Sequence, residues 1–149
     1  MQTVLIRTAL FVPGNRKDRI EKALNTEADA IIIDLEDAVP SSQKEACRSD
    51  VREKIESHPN RTILVRVNPL GSPFLGGDLE QVVVRGLSGI VLPKVEKAGH
   101  IIEIHELLCR EEEKKKIGEG AVLLFPLIES AIGVQHVYDI VSVKTSPPR

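Results

Sequence analysis

The chain has 149 residues, 42% hydrophobic and 28% charged, with a net charge of −2. This suits one globular domain with a real core, and the lack of a basic stripe argues against nucleic acid. No apolar stretch approaches the roughly 20 residues of a membrane span and no signal-peptide pattern follows Met1, so the expected address is cytoplasmic, away from the membrane. Cys47 and Cys109 fit no CxxC arrangement and read as small helix-buried thiols in a reducing compartment.

In chain order, residues 4–12 (VLIRTALFV) predict a first strand. Residues 15–25 predict a helix with Asn15 as its N-cap and Ile20, Ala23 and Leu24 on one side. A second strand over 30–35 leads to a helix over 42–57, where Ser42 and Glu45 have the spacing of a capping box. Strands over 62–67, 89–92 and 121–126 follow, with helices over 78–86, 96–116 and 130–141. The strands are nearly continuous Val, Ile and Leu without alternation, as expected when both faces are covered. Five βα units at about 30-residue spacing mean an α/β protein with a parallel sheet. The first strand ends in FVPGN, without a GxGxxG or GK[ST] phosphate loop. That favours a (β/α)8 barrel, here five βα units of one, over a nucleotide fold.

The strand ends carry the chemistry. FVPGN, DLEDAV, RVNP, LPKVE and PLIES would converge on the C-terminal face of a barrel, bringing Asp34, Glu36 and Asp37 to Arg66, Asn68, Lys94, Glu96 and Glu129. Asp34 reads as an acceptor of backbone N–H groups, and Asp37 as an orienting acid. Lys94 reads as an ion-pair partner for Glu96 or for an acid of the DLED segment. Arg66 ends the apolar run ILVRV, must face an anion there, and suits bidentate binding of a substrate carboxylate. Ser130 is a better helix cap than Glu129, which frees Glu129 for another role. His100 and Glu103 read as a polar helix face. Oxygen-rich strand ends with no cysteine or histidine cluster favour magnesium over zinc.

Taken together, RTALFVPGN, DLEDAV with Lys44, Cys47 and Arg48 after it, VRVNP, VLPKVE and PLIESAIGV resemble the citrate lyase β-subunit family of the HpcH/HpaI aldolase group. Each motif is weak alone; five in order, with matching spacing from Arg7 to about Val141, are specific. The resemblance implies a magnesium-dependent TIM barrel that makes or breaks a C–C bond beside an acyl thioester, carried on CoA or an acyl-carrier protein. Citryl, malyl and citramalyl thioesters are the substrate class, and a homo-oligomer or a citrate lyase complex is the implied assembly. It assigns Glu129 to magnesium, Arg66 to the substrate oxygens, Phe11 to ligand contact and Lys22 to the CoA. Glu36 and Asp37 organise the mouth, toward metal-bound water or Lys94, and the base that takes the substrate hydroxyl proton comes from a later segment or a neighbouring subunit. Thioester hydrolysis, 2-oxoacid aldol cleavage or a non-catalytic, partner-binding role on the same scaffold are the alternatives.

Residues 1–149 match only the N-terminal part of such a barrel, before the sixth strand, whose FGxxD-like aspartate is the second magnesium ligand in relatives. Five strands alone would expose two sheet edges, so the isolated chain is expected to associate.

Overall fold

The computed structural model describes residues 5–148. Its five strands are β1 (Ala9–Pro13), β2 (Ala30–Asp34), β3 (Ile63–Arg66), β4 (Gly89–Leu92) and β5 (Leu123–Pro126). They form one parallel sheet in the order β1-β2-β3-β4-β5. The interleaved helices are α1 (Lys17–Leu24), α2 (Ser41–Ser57), α3 (Leu75–Val82), α4 (Ala98–Lys114), α5 (Ala131–Gln135) and α6 (Val137–Val141). Strand order never reverses, so the sheet has no doubly wound switch point; this is the succession of a TIM barrel.

Two separate apolar clusters show which face is which. Ile31, Ile33, Ile63, Val65, Ile90 and Leu92 pack with the helix residues Ile20, Val51, Ile55, Leu79, Ile104 and Leu108. The alternate positions Ala30, Ile32, Leu64 and Val91 form a second cluster with Ile6, Phe125 and Leu127 and no helix residue. Because side chains alternate across a strand, Asp34 and Arg66 fall on this inner face, two residues beyond Ile32 and Leu64. In β2, β3 and β4 the residues are apolar on both faces because both faces carry a core, as the unalternating runs predict. Strand β1 departs from that expectation, with Ala9, Leu10 and Phe11 exposed, and β5 is only partly buried.

Several boundaries differ from the sequence expectation. Val4, where the first strand was expected to begin, lies outside the described residues. Within them β1 starts only at Ala9, because the amides of Arg7 and Thr8 both donate to Asp29 Oδ2 at 2.9 Å. Asn15 does not cap α1: Arg16 holds the N-cap position, and Asn15 Nδ2 donates to Gln43 Oε1 at 2.6 Å. The Ser42–Glu45 capping box is not formed. Helix α2 enters one residue earlier from Pro40, which puts Ser42 inside the first turn, past the cap position.

Helix α3 begins at Leu75, three residues before the expected start, taking Gly76 and Gly77 into its first turn despite their low propensity. The last predicted helix is two, broken at His136, whose Nδ1 lies 2.8 Å from the Glu96 carbonyl. Ser130 does cap α5, accepting from the Gly133 amide at 3.1 Å. Cys47 is buried as expected, whereas Cys109 is only half-buried.

Candidate active site

Strand β2 ends at Asp34 and its neighbour β3 at Arg66, and the two are register partners. Arg66 Nε donates to Asp34 Oδ1 at 2.8 Å and Nη2 to Oδ2 at 2.6 Å. The same carboxylate accepts the amides of Glu36 and Ala38, each at 2.9 Å, so one buried acid fixes both the guanidinium and the turn after β2. Burial pushes the Asp34 carboxyl upward, but the Arg66 hydrogen bond and the two amides outweigh it and leave Asp34 below its ordinary value. Arg66 is correspondingly raised, first by its hydrogen bond to Asp34.

The guanidinium has two further neighbours. Its carbon sits 5.3 Å from the centre of the Phe11 ring, within range of a cation–π contact. Its Nη1 lies 3.2 Å from Glu36 Oε2. Glu36 is itself buried, and Lys94 Nζ approaches its Oε1 at 2.8 Å. Both Glu36 oxygens are therefore ion-paired, and the contact from Lys94 is of hydrogen-bond length and raises the lysine. A carboxylate offers more acceptor sites than these two contacts use, so acceptor capacity is left over.

Lys94 connects the next strand end. Its backbone amide donates to Glu129 Oε1 at 2.8 Å, so Glu129 shares the rim with Glu36 and Arg66. Ser130 Oγ donates to Glu96 Oε1 at 2.8 Å, so the acid of LPKVE pairs with the serine of PLIES and Lys94 pairs with Glu36 instead. Asp37 is exposed on the same rim and adds to the field that raises both Arg66 and Lys94. His100 and Glu103 take no part; His100 Nδ1 accepts the Glu96 amide at 3.3 Å.

Three cavities open along this face. One of about 370 Å3 is lined by Phe11, Val12, Pro13, Asp34, Ala38 and Arg66. On the far side of Phe11, a groove of about 250 Å3 runs past Leu10 to Arg19 and Lys22. Lys22 lines this groove with Arg19 and is not among the residues lining the cavity of Arg66 and Asp34. The third, about 360 Å3, lies beyond Glu36 and is bordered by Asp37, Lys44, Asn68, Phe74 and Lys94.

In the layer beneath the mouth the sequence placed Asn68 at a strand end and Lys44 and Arg48 in a motif, but not their partners, nor Asp78. Lys44 is buried and directs its ammonium to the carbonyls of Leu35, at 2.6 Å, and Glu36, at 2.5 Å. Asn68 Nδ2 also donates to the Leu35 carbonyl, at 3.1 Å, and to Asp78 Oδ2, at 2.6 Å. Asp78 has no exposure and is neutralised by Arg48, whose Nε lies 2.9 Å from its Oδ1. Lys44 and Arg48 each lie three residues before an apolar position of α2, Cys47 and Val51, a polar interruption that marks them only once the helix face is known.

As a magnesium ligand, Glu129 is an exposed carboxylate with one oxygen already oriented by an amide. Magnesium is commonly held by one or two carboxylates, with water and substrate completing the shell, so Glu129 fits one position. Among the described residues no group of three or more His, Cys, Asp or Glu side chains is arranged to hold a metal.

The HpcH/HpaI aldolase/citrate lyase family profile matches residues 7–146. The chain belongs to that family. It is 36% identical to the citrate lyase subunit beta of Leuconostoc mesenteroides subsp. cremoris over 138 residues, 91% of this chain and 46% of that protein. It is 33% identical to the L-malyl-CoA/beta-methylmalyl-CoA lyase of Rhodobacter capsulatus over 141 residues, 91% of this chain and 44% of the relative. In structure it resembles the citrate lyase beta subunit of Mycobacterium tuberculosis complexed with oxaloacetate and magnesium, with a TM-score of 0.69 and 31% identity over 90% of this chain and 52% of that one. A Mycobacterium tuberculosis CitE structure with magnesium, acetoacetate and coenzyme A gives a TM-score of 0.71 at 29% identity, covering 94% of this chain and 46% of that one. This HpcH/HpaI-family chain spans about half the length of the curated relatives it matches. No helix among its described residues is long and apolar enough to cross a membrane.

Proposed function

We propose that the chain supplies the β1–β5 side of a magnesium-dependent carbon–carbon lyase acting on a hydroxy-acyl thioester of the citryl-, malyl- or citramalyl-CoA kind. The observation that carries this reading is the pairing of Arg66 with Asp34 and Glu36 at the strand ends, against Phe11 and on one rim with Glu129. In the reaction the substrate hydroxyl loses its proton and its oxygen becomes the carbonyl of a 2-oxoacid. The C–C bond breaks, and its electron pair passes to an acyl-thioester enolate that is then protonated at carbon.

Arg66 supplies fixed positive charge where the oxo group and its neighbouring carboxylate sit, the kind of preorganised stabilisation that contributes several kcal/mol. Its fork is taken by Asp34, so substrate meets the remaining Nη edge and not a free guanidinium. Glu36 keeps acceptor capacity for a substrate hydroxyl or a water, and Asp37 adds negative charge that retains the two cations. Phe11 forms the apolar wall between this cavity and the groove where Arg19 and Lys22 offer charge to CoA phosphates. Magnesium, with Glu129 as one ligand, supplies Lewis-acid stabilisation of the oxo group when bound. The carrier is CoA or an acyl-carrier protein, and the assembly is a homo-oligomer or a citrate lyase complex in the cytoplasm.

A second reading is a non-catalytic subunit that binds a CoA-like ligand, for which the groove carrying Arg19 and Lys22 beside Phe11 would suffice. Incubation with citryl-, malyl- and citramalyl-CoA, with and without magnesium, separates the readings. Magnesium-dependent release of an acyl thioester and a 2-oxoacid supports the lyase. Free thiol with a hydroxy acid indicates hydrolysis, and binding without turnover at any magnesium concentration indicates the non-catalytic role.

A further inference from the structure

Lys94 follows Pro93 at the end of β4 with φ +56°, in the left-handed region that side-chain-bearing residues rarely occupy. The surrounding loops hold it there. The amide of Val95 donates to the Leu127 carbonyl at 3.3 Å, and the amide of Leu127 to the Leu92 carbonyl at 2.8 Å. Glu96 is tied by its side chain to Ser130 Oγ and by its carbonyl to His136, both at 2.8 Å. Helix α5 presses so close that a Cβ on Gly133 would lie 2.7 Å from the Val95 carbonyl. Strain of this kind persists only where neighbours over-determine the backbone.

The conformation has a consequence at both ends of the residue. It aims the Lys94 amide at Glu129 Oε1, 2.8 Å away, while the side chain carries the ammonium to Glu36 Oε1, also 2.8 Å away. Glu129 follows β5 and Glu36 follows β2, so one residue touches carboxylates from non-adjacent strands. A glycine would satisfy the turn without strain; a lysine is needed only if its ammonium matters too. We infer that Lys94 is a positioning residue that sets the spacing and orientation of Glu36 and Glu129 through a backbone bond to one and an ion pair to the other. Its effect on turnover rests on the lyase reading above; the clamp itself does not.

The test is NMR and thermal melting of the whole chain. In the wild type, the residue-94 amide is protected from hydrogen exchange, and Glu129→Ala speeds its exchange by at least about tenfold while distant amides are unchanged. Lys94→Gly keeps that protection, because the backbone geometry survives, but shifts the Glu36 carboxylate carbon signal; Lys94→Arg restores it. Lys94→Ala melts about 2–4 °C below Lys94→Gly, since only glycine adopts the left-handed backbone freely. Exchange at residue 94 that ignores Glu129→Ala, or a Glu36 signal that ignores Lys94→Gly, overturns the clamp. Mn2+ added as a probe separates the two levels: if it binds no version, the lyase reading loses its metal, whereas exchange, carbon signal and melting still decide the role of Lys94.

Discussion

Arg66 and Asp34 stand opposite each other on adjacent strands, and Arg66 donates two hydrogen bonds to the Asp34 carboxylate, at 2.6 and 2.8 Å, just where the apolar layer of the sheet gives way to the mouth. The anion that the sequence demanded for Arg66 is therefore first a residue of the protein itself. Under the lyase reading, a substrate carboxylate would join a guanidinium whose direction is already fixed, which lowers the ordering cost of binding.

Breaking this pair has unequal effects from its two sides. Asp34→Ala leaves Nε and Nη2 of a nearly buried guanidinium and two turn amides without an acceptor, and lowers stability by about 3 kcal/mol. Arg66→Lys keeps the charge but loses the fork, costing about 1–2 kcal/mol in stability and about 100-fold in kcat/KM for the proposed cleavage. Urea unfolding midpoints and steady-state kinetics check both. Equal stability of Asp34→Ala and wild type would remove Asp34 from this role.

Acid sensitivity follows from the direction of the Asp34 shift. Its folded value lies below the ordinary 3.8, so on acidification the unfolded chain takes up a proton before the folded chain does. The stability Asp34 contributes is complete above about pH 4 and is lost as pH falls through the folded value. Asp29, held far below the usual range first by the Arg7 side chain and then by the Arg7 and Thr8 amides, acts in the same sense. Urea midpoints measured against pH should fall below about pH 4, less steeply in Asp34→Asn.

Gly77 tests the layer beneath the mouth. A Cβ there would lie 2.5 Å from Arg48 Nη1, so Gly77→Ala pushes the guanidinium away from Asp78 and from the Phe74 carbonyl it binds at 2.9 Å. Asp78 is fully buried and would lose its cation, for a loss of about 2–4 kcal/mol despite the better helix propensity of alanine. Gly76→Ala, one residue away with open space around the new methyl, should be neutral or stabilising. Comparison of the two melting curves decides the matter.

Lys44→Met removes the donor shared by the Leu35 and Glu36 carbonyls while keeping most of the apolar stem. Two buried carbonyls lose a partner, so stability falls by about 1–3 kcal/mol. Backbone exchange should accelerate over residues 34–39 before it does in β4.

The apolar surface predicts association. Leu10 and Phe11 on β1 are 40% and 48% exposed, and Val134, Tyr138 and Val141 on α5 and α6 are 62%, 77% and 66% exposed. Light scattering coupled to size-exclusion chromatography should show a mass that rises with concentration. A compact monomer that binds no hydrophobic dye would contradict it.

The succession of βα units, the apolar character of every strand and the placing of DLED, VRVN, LPKVE and PLIES at strand ends were all legible in the sequence. These follow from local periodicity and from turn residues, which act over a few neighbours. Partner choice among the charges was not. Arg66 could have faced any of several acids, and only register put Asp34 beside it; Lys94 could have met Glu96, but Ser130 holds that acid and leaves Lys94 to Glu36. Helix starts slipped as well: Asn15 is spent on Gln43, and α3 takes in Gly77, where a Cβ would meet Arg48 from another helix. Local sequence sets which residues arrive at the face, whereas pairing between strands distant in the chain is decided by packing and mutual charge, which exist only once the sheet has assembled.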